Sequence, residues 1–172
     1  MKNVHVRDAT IEDAEGLARI HVRGWQWGYR GLLPSAYLEG LSVERRAEQW
    51  RSWLLDPGRT RTWVAGTEEL ALAGFVAAGP SRDPRAGAEA GEIYAIYLEE
   101  AVAGSGVGRT LLRHAVDGLR EAGFARATLW VLDRNARARR FYEKAGWAAD
   151  GATHSEPRED VEMNEVRYAI DL

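Results

Sequence analysis

The chain has 172 residues and a formal net charge of −3. That is the length of one domain, 1–172, with one sizeable core, and the charge argues against nucleic acid as a partner. It has no cysteine, which excludes disulfides and thiol catalysis. No apolar run approaches the ~20 residues that span a bilayer, so no membrane partner is expected.

The N-terminus, MKNVHVRDAT, lacks a signal-peptide core, and a cytoplasmic protein is the expectation. Val4-His5-Val6 reads as a first strand. Thr10 is a helix N-cap with Asp13 at the third helical position. Ala14, Leu17, Ala18, His21 and Trp25 then recur on one helical face. His21 on that face reads as a core histidine before it reads as a catalyst. Gly24 to Gly31 breaks the pattern, and Pro34 enforces a turn. Ser42 caps a second helix carrying Val43, Ala47, Trp50 and Leu54, which Pro57-Gly58 ends. Four of the seven tryptophans (Trp25, Trp27, Trp50, Trp53) fall in this first third. Such a cluster serves mainly for packing, because aromatic rings bury large areas, but part of it can line a pocket.

Thr62–Ala65 and Leu70–Ala78 read as strands around a short turn. Pro80 to Gly91, PSRDPRAGAEAG, has the composition of a mobile loop. Glu92 to Leu98 has the aromatic and β-branched content of a strand. Gly104, Gly106 and Gly108 follow at every second position. A helix then starts at Val107 with Leu111, Leu112, Ala115, Val116 and Leu119 on one face, and Gly123 stands at its C-terminal cap. Ala127–Leu132 is another strand. After Asp133-Arg134-Asn135 comes a helix with Ala138, Phe141, Tyr142 and Ala145 on one face, stopped by Gly146. Trp147–Ala149 begins a strand, Asp150–Glu165 reads as a polar acidic loop, and Val166–Ile170 closes the chain as an alternating strand. The order is β-α-α-β-β-β-α-β-α-β-β. The helix between the fourth and fifth strands makes those two parallel, and the hairpins on either side antiparallel. An α/β mixed sheet with helices on both faces follows.

The glycine turn opening a helix is a candidate phosphate cradle, since backbone N–H groups and the helix dipole both favour an anion there. A P-loop would end in Gly-Lys-Ser/Thr, and Gly108-Arg109-Thr110 follows the wrong glycine spacing. A dinucleotide fingerprint, G-x-G-x-x-G, fails because Gly108 stands two positions after Gly106, although Asp133 follows the next strand as a ribose-binding acid would. A purely structural turn is the remaining plain alternative. The four histidines show no H-E-x-x-H spacing, and no metal site is expected.

Ala103-Gly104-Ser105-Gly106-Val107-Gly108 resembles the Gln/Arg-x-x-Gly-x-Gly/Ala signature of the GCN5-related N-acetyltransferases (GNAT). Asn135-x-x-Ala138-x-x-Phe141-Tyr142-Glu143-Lys144-x-Gly146-Trp147 resembles their Asn-x-x-Ala-x-x-Phe-Tyr-x-x-x-Gly-Phe segment, at the right distance downstream. Arg7-x-Ala9-Thr10-x-x-Asp13-Ala14 and Val166-Arg167-Tyr168 resemble the family's first and last segments, so the resemblance covers essentially the whole chain.

It implies the GNAT fold, a mostly antiparallel sheet of about seven strands, and acetyl-CoA as cosubstrate. The backbone of Ile96, Tyr97 and Leu98 would pair with the pantetheine arm as an added strand does. Amides from Gly104 to Gly108, with Arg109 nearby, would hold the pyrophosphate. Asn135 would order the pantetheine end. Tyr142 would protonate the leaving thiolate, and a backbone N–H near Leu98 would polarise the thioester carbonyl. Glu92 would be the general base, ahead of Tyr94, His154 and Glu165. Ala103 departs from the family's Gln or Arg, which removes one side-chain contact to the pyrophosphate. Arg134, Arg137, Arg139, Arg140 and Lys144 would either reach the adenosine 3′-phosphate or form a solvated basic face. The acceptor would be a small amine or a peptide N-terminus, met in a pocket partly built by Trp25 to Tyr37. A homodimer is compatible with this reading. The alternative is a catalytically silent acyl-CoA binding module.

Overall fold

The computed structural model describes residues 3–172. Seven strands form one sheet. They are β1 His5–Asp8, β2 Arg61–Gly66, β3 Gly74–Pro80, β4 Ala90–Leu98, β5 Arg126–Leu132, β6 Ala148–Arg158 and β7 Val161–Asp171. Their order across the sheet is β1-β2-β3-β4-β5-β7-β6. Only β4 and β5 are parallel. The helices are α1 Ala14–Gly28, α2 Ser35–Glu39, α3 Val43–Leu55, α4 Val107–Glu121 and α5 Ala136–Lys144. The expected mixed sheet and element order are therefore present, with one helix added.

Each face of the sheet has its own core. Val107, Leu111, Leu112, Ala115 and Leu119 of α4 pack with Tyr142 and Trp147 over Val76, Ile93, Leu129 and Tyr168. Leu17, Ala18 and Ile20 of α1 pack with Ala47 and Trp50 of α3 over Val64, Phe75 and Ala77 on the opposite face. Close approach is enforced at Gly118, where an added Cβ would stand 2.7 Å from the Trp63 ring. The entry to α1 is local chemistry. The Asp13 carboxylate accepts from Thr10 N–H at 2.8 Å and from both Arg7 guanidinium nitrogens at 2.7 and 2.8 Å.

Three expectations need correction. The 70–78 segment turns before it pairs, because the Thr67 hydroxyl accepts from the amides of Glu69 and Leu70; β3 starts at Gly74. Residues 150–165 are not a loop. They form a long hairpin whose two-residue turn, Glu159-Asp160, has Glu159 at φ 54°, in the positive-φ region such turns use. And the 80–91 segment is pinned, not free: Arg82 binds Glu92 and Arg167 binds Asp83, each at 2.7 Å. No helix among the described residues is long and apolar enough to cross a membrane.

Candidate active site

The sheet opens at one place. β4 and β5 pair from Ala90↔Arg126 to Ile93↔Leu129 and no further. Beyond that point β4 keeps its partner β3 and loses β5, so its backbone from Tyr94 to Leu98 faces a gap. A bulge sits at the same point, since Ala77 pairs with Ala95 but Ala78 with Ile93. The extra residue, Tyr94, shifts the side-chain phase. Tyr94, Ala95 and Tyr97 all line a groove on the α1–α3 face, while Ile96 and Leu98 pack on the α4 side. This is a common place for a bulge, beside a site, where it re-aims side chains.

On the α4 side of the gap lies the glycine turn. Gly104 has φ 78° and Gly106 φ 99°, and a Cβ at either would meet open space. Backbone conformation, not crowding, requires glycine there. Gly108 is different: its Cβ would stand 3.1 Å from Leu98 Cδ1 and 3.5 Å from Phe141 Cζ. Gly106 is the N-cap of α4 and offers no side chain to the orphan amides of Gly106, Val107, Gly108 and Arg109. Ser105 turns its hydroxyl to Val102 O at 2.6 Å. Ala103 and Arg109 are exposed. An uncapped helix N-terminus behind two left-handed glycines is a shape that takes a phosphate.

Tyr142 lies on the buried face of α5, packed against Phe141, Trp147 and Tyr168. Its hydroxyl has no hydrogen-bond partner among the described residues. Burial, then the nearby Tyr97, pushes its phenol well up. Asn135 is the N-cap of α5, its Oδ1 accepting from Ala138 N–H at 3.1 Å. It sets the phase of the helix that carries Tyr142. Arg139 donates to the Tyr168 hydroxyl at 3.0 Å and to Asp133 O at 2.9 Å, which takes it out of the phosphate-reaching set.

The groove on the other face is a cleft of about 1180 Å³. Its aromatic floor is continuous. His21 stacks on Tyr97 with ring centroids 4.9 Å apart, and the Tyr29 and Tyr97 hydroxyls share a hydrogen bond of 3.0 Å. Burial depresses His21 to a pKa of about 3, helped by Arg46 and Arg158. Its Nδ1 and the Trp50 Nε1 have no hydrogen-bond partner among the described residues. His21 is a neutral core residue, as its place on the helix face suggested.

Glu92 reaches this groove but is already engaged. It is 2% exposed. Its Oε1 accepts from Arg82 Nε and Nη2 at 3.2 and 2.7 Å, and its Oε2 from Arg82 N–H and Ser81 Oγ at 2.8 and 3.3 Å. A carboxylate has about four acceptor directions, and all are filled. A further groove carboxylate, Glu165, sits opposite Leu132, three residues past the last β4–β5 pair at Leu129. Burial pushes its pKa up, while His154, 3.4 Å away, pulls it back.

Two contacts and one unpaired cation had no signal in the sequence. Trp27 Nε1 donates to Leu98 O at 3.0 Å, and the Arg137 guanidinium lies 4.1 Å from the Trp27 ring centroid, so this pair roofs the end of β4. Arg46 lines the groove without an ion pair among the described residues. Each depends on pairing between distant segments.

Comparison with known proteins agrees with this fold. A profile of the Acetyltransferase (GNAT) family matches residues 23–147. The chain is 35% identical over 132 residues to an uncharacterized N-acetyltransferase of Bacillus subtilis, YuaI, covering 77% of this chain and 73% of that one. It is 23% identical to a spermidine N(1)-acetyltransferase of Thermoplasma acidophilum, covering 90% and 94%. Among solved structures it superposes on the PaiA N-acetyltransferase of Thermoplasma acidophilum in complex with coenzyme A, with a TM-score of 0.79, 21% identity and 99% of each chain covered.

Proposed function

The chain belongs to the GNAT family of acetyltransferases, and from that premise we propose that it moves the acetyl group of acetyl-CoA directly onto a primary amine held in the aromatic groove. The observation that carries this is the opening of β4 from β5 past Ile93 and Leu129, with the uncapped start of α4 on one side and the groove on the other. Acetyl-CoA supplies the activated thioester. Amides of Gly104 to Gly108 would hold its pyrophosphate, and the free edge of β4 at Ile96, Tyr97 and Leu98 its pantetheine arm. The lost side chain at Ala103 weakens this cradle without removing it, because backbone amides supply most of the anion contacts.

The chain's own groups divide the remaining work. An N–H of the unpaired part of β4 polarises the thioester carbonyl. Tyr142 donates to the departing sulfur. Glu165 takes the proton of the incoming ammonium, because burial raises its basicity and its acceptor positions are less committed than those of Glu92. Glu92 holds the groove wall through Arg82. Asn135 acts by fixing α5.

Ligand binding tests the cofactor site. At 100 times its dissociation constant, acetyl-CoA should stabilise the fold by about 2.7 kcal/mol, read as a rise in Tm, and NAD or ATP should not. A shift with NAD and none with millimolar acetyl-CoA would remove the proposal. The base is tested by the pH–rate profile. A carboxylate base works ionised, so the rate should climb with pH through the raised pKa of Glu165. Glu165→Gln should flatten that acidic limb, and Glu92→Gln should lower thermal stability while leaving the limb in place. The reverse pattern would return the role to Glu92.

A further inference from the structure

The groove is lined by five arginines, Arg46, Arg61, Arg82, Arg85 and Arg158. Four have a carboxylate partner. Arg61 meets Asp8 at 3.3 Å, Arg82 meets Glu92 at 2.7 Å and Arg85 meets Asp83 at 3.2 Å. The fourth, Arg158, pairs with Glu156 at 3.4 Å and lies 5.7 Å from the Trp25 ring centroid. Arg46, one helical turn before Trp50 on α3, is half-buried and has no hydrogen bond or ion pair among the described residues. Burying a guanidinium unpaired is costly. The cost is higher here because Arg46 and Arg158 repel one another. Both act on the same floor, the stacked His21 and Tyr97 rings. That floor also holds His21 Nδ1 and, in the adjoining ring, Trp50 Nε1, neither with a partner among the described residues. Native proteins rarely leave buried polar groups unmatched outside functional sites.

We infer that Arg46 and Arg158 form a carboxylate subsite, and that the acceptor is an amino-acid-like compound whose carboxylate they hold while its amine lies toward Tyr97 and Glu165. This rests on the reading of the groove as the acceptor site. Two guanidinium forks from different elements match the two oxygens of a carboxylate. A polyamine, with no anionic end, would meet the unpaired Arg46 guanidinium there. Glu165 and Arg158 line the same groove, so the two ends of a zwitterion would find opposite charges within one cleft.

The test compares the twenty L-amino acids, their C-terminal amides and spermidine as acceptors, with thiol release from acetyl-CoA as the readout. At least one amino acid should be preferred in kcat/KM by tenfold or more over its own amide and over spermidine. Arg46→Met should raise its KM by about 10- to 100-fold, the loss expected for charged hydrogen bonds, with kcat nearly unchanged and the acid-over-amide preference gone. Arg158→Met, on a different element, should do the same. Amides or spermidine accepted as well as the acids, or a preference that survives both substitutions, overturns the subsite and leaves acetyl transfer standing. If no compound is acetylated, tryptophan fluorescence of the groove reads the subsite by itself. Saturable binding of an acid but not its amide, abolished by Arg46→Met, supports it although the acetyl-transfer reading has failed; equal or absent binding of both overturns it.

Discussion

Tyr142→Phe should cut kcat about 100-fold on the physiological acceptor and leave the Kd for acetyl-CoA, measured by calorimetry, where it was. The substitution keeps the ring packed among Phe141, Trp147 and Tyr168 and removes only the hydroxyl. That hydroxyl has no partner in the protein among the described residues, so its loss strands no buried donor or acceptor. Burial and the neighbouring Tyr97 hold the phenol well above its ordinary pKa. It is therefore protonated at every working pH. The same shift makes a free phenolate costly, so the hydroxyl acts chiefly as a hydrogen-bond donor to sulfur as negative charge builds there. A donor aimed at developing charge is worth about 10²–10³ in kcat, and a thiolate leaves tolerably without help, which places the effect at the low end. Because the charge exists only near the transition state, kcat and kcat/KM should fall together. Wild-type turnover in the mutant would make Tyr142 a packing residue and favour a silent acyl-CoA binder.

What could be seen in the sequence was what local physics decides. Gly104 and Gly106 announce themselves because positive φ demands glycine, and Tyr142 because its position follows from the phase of one short helix capped by Asn135. What could not be seen was set by sheet register. Arg167 and Asp83 are 84 positions apart, and Trp27 and Leu98 are 71 apart. The clamp that fills the acceptor positions of Glu92 is made by Arg82, from a segment whose composition suggested only mobility. β6 was invisible for another reason. As the outermost strand it is exposed along most of its length, so no alternation of apolar and polar residues marks it. Arg46 could not be identified either, since lacking a partner is a property of the fold and not of helix α3.

Acidification should destabilise the protein through His21 before most carboxylates titrate. In the folded state burial, then Arg46 and Arg158, hold its pKa near 3; an unfolded chain would bind the proton near the ordinary value of 6.5. Above pH 6.5 neither state carries the proton, and His21 contributes no pH dependence. Below 6.5 the unfolded state takes it up and the folded state does not, so stability falls as pH falls, by up to about 1.4 kcal/mol per unit. At pH 4.5 the accumulated loss should be roughly 2–3 kcal/mol, and it should stop growing once the folded state also binds the proton near pH 3. Asp13, whose pKa is lowered chiefly by Arg7, works in the same direction but only below the ordinary carboxylate range. Glu165, raised by burial, works against it as it becomes protonated. From pH 6.5 to 4.5 the histidine therefore lowers stability while Glu165 partly offsets it, and the difference between wild type and a histidine-free variant isolates the histidine. Denaturant unfolding across that interval should show the slope in the wild type and lose most of it in His21→Leu, whatever the variant's absolute stability. An unchanged slope would mean that His21 accepts a proton without leaving its stack on Tyr97, and the groove floor would then carry a third positive charge beside Arg46 and Arg158.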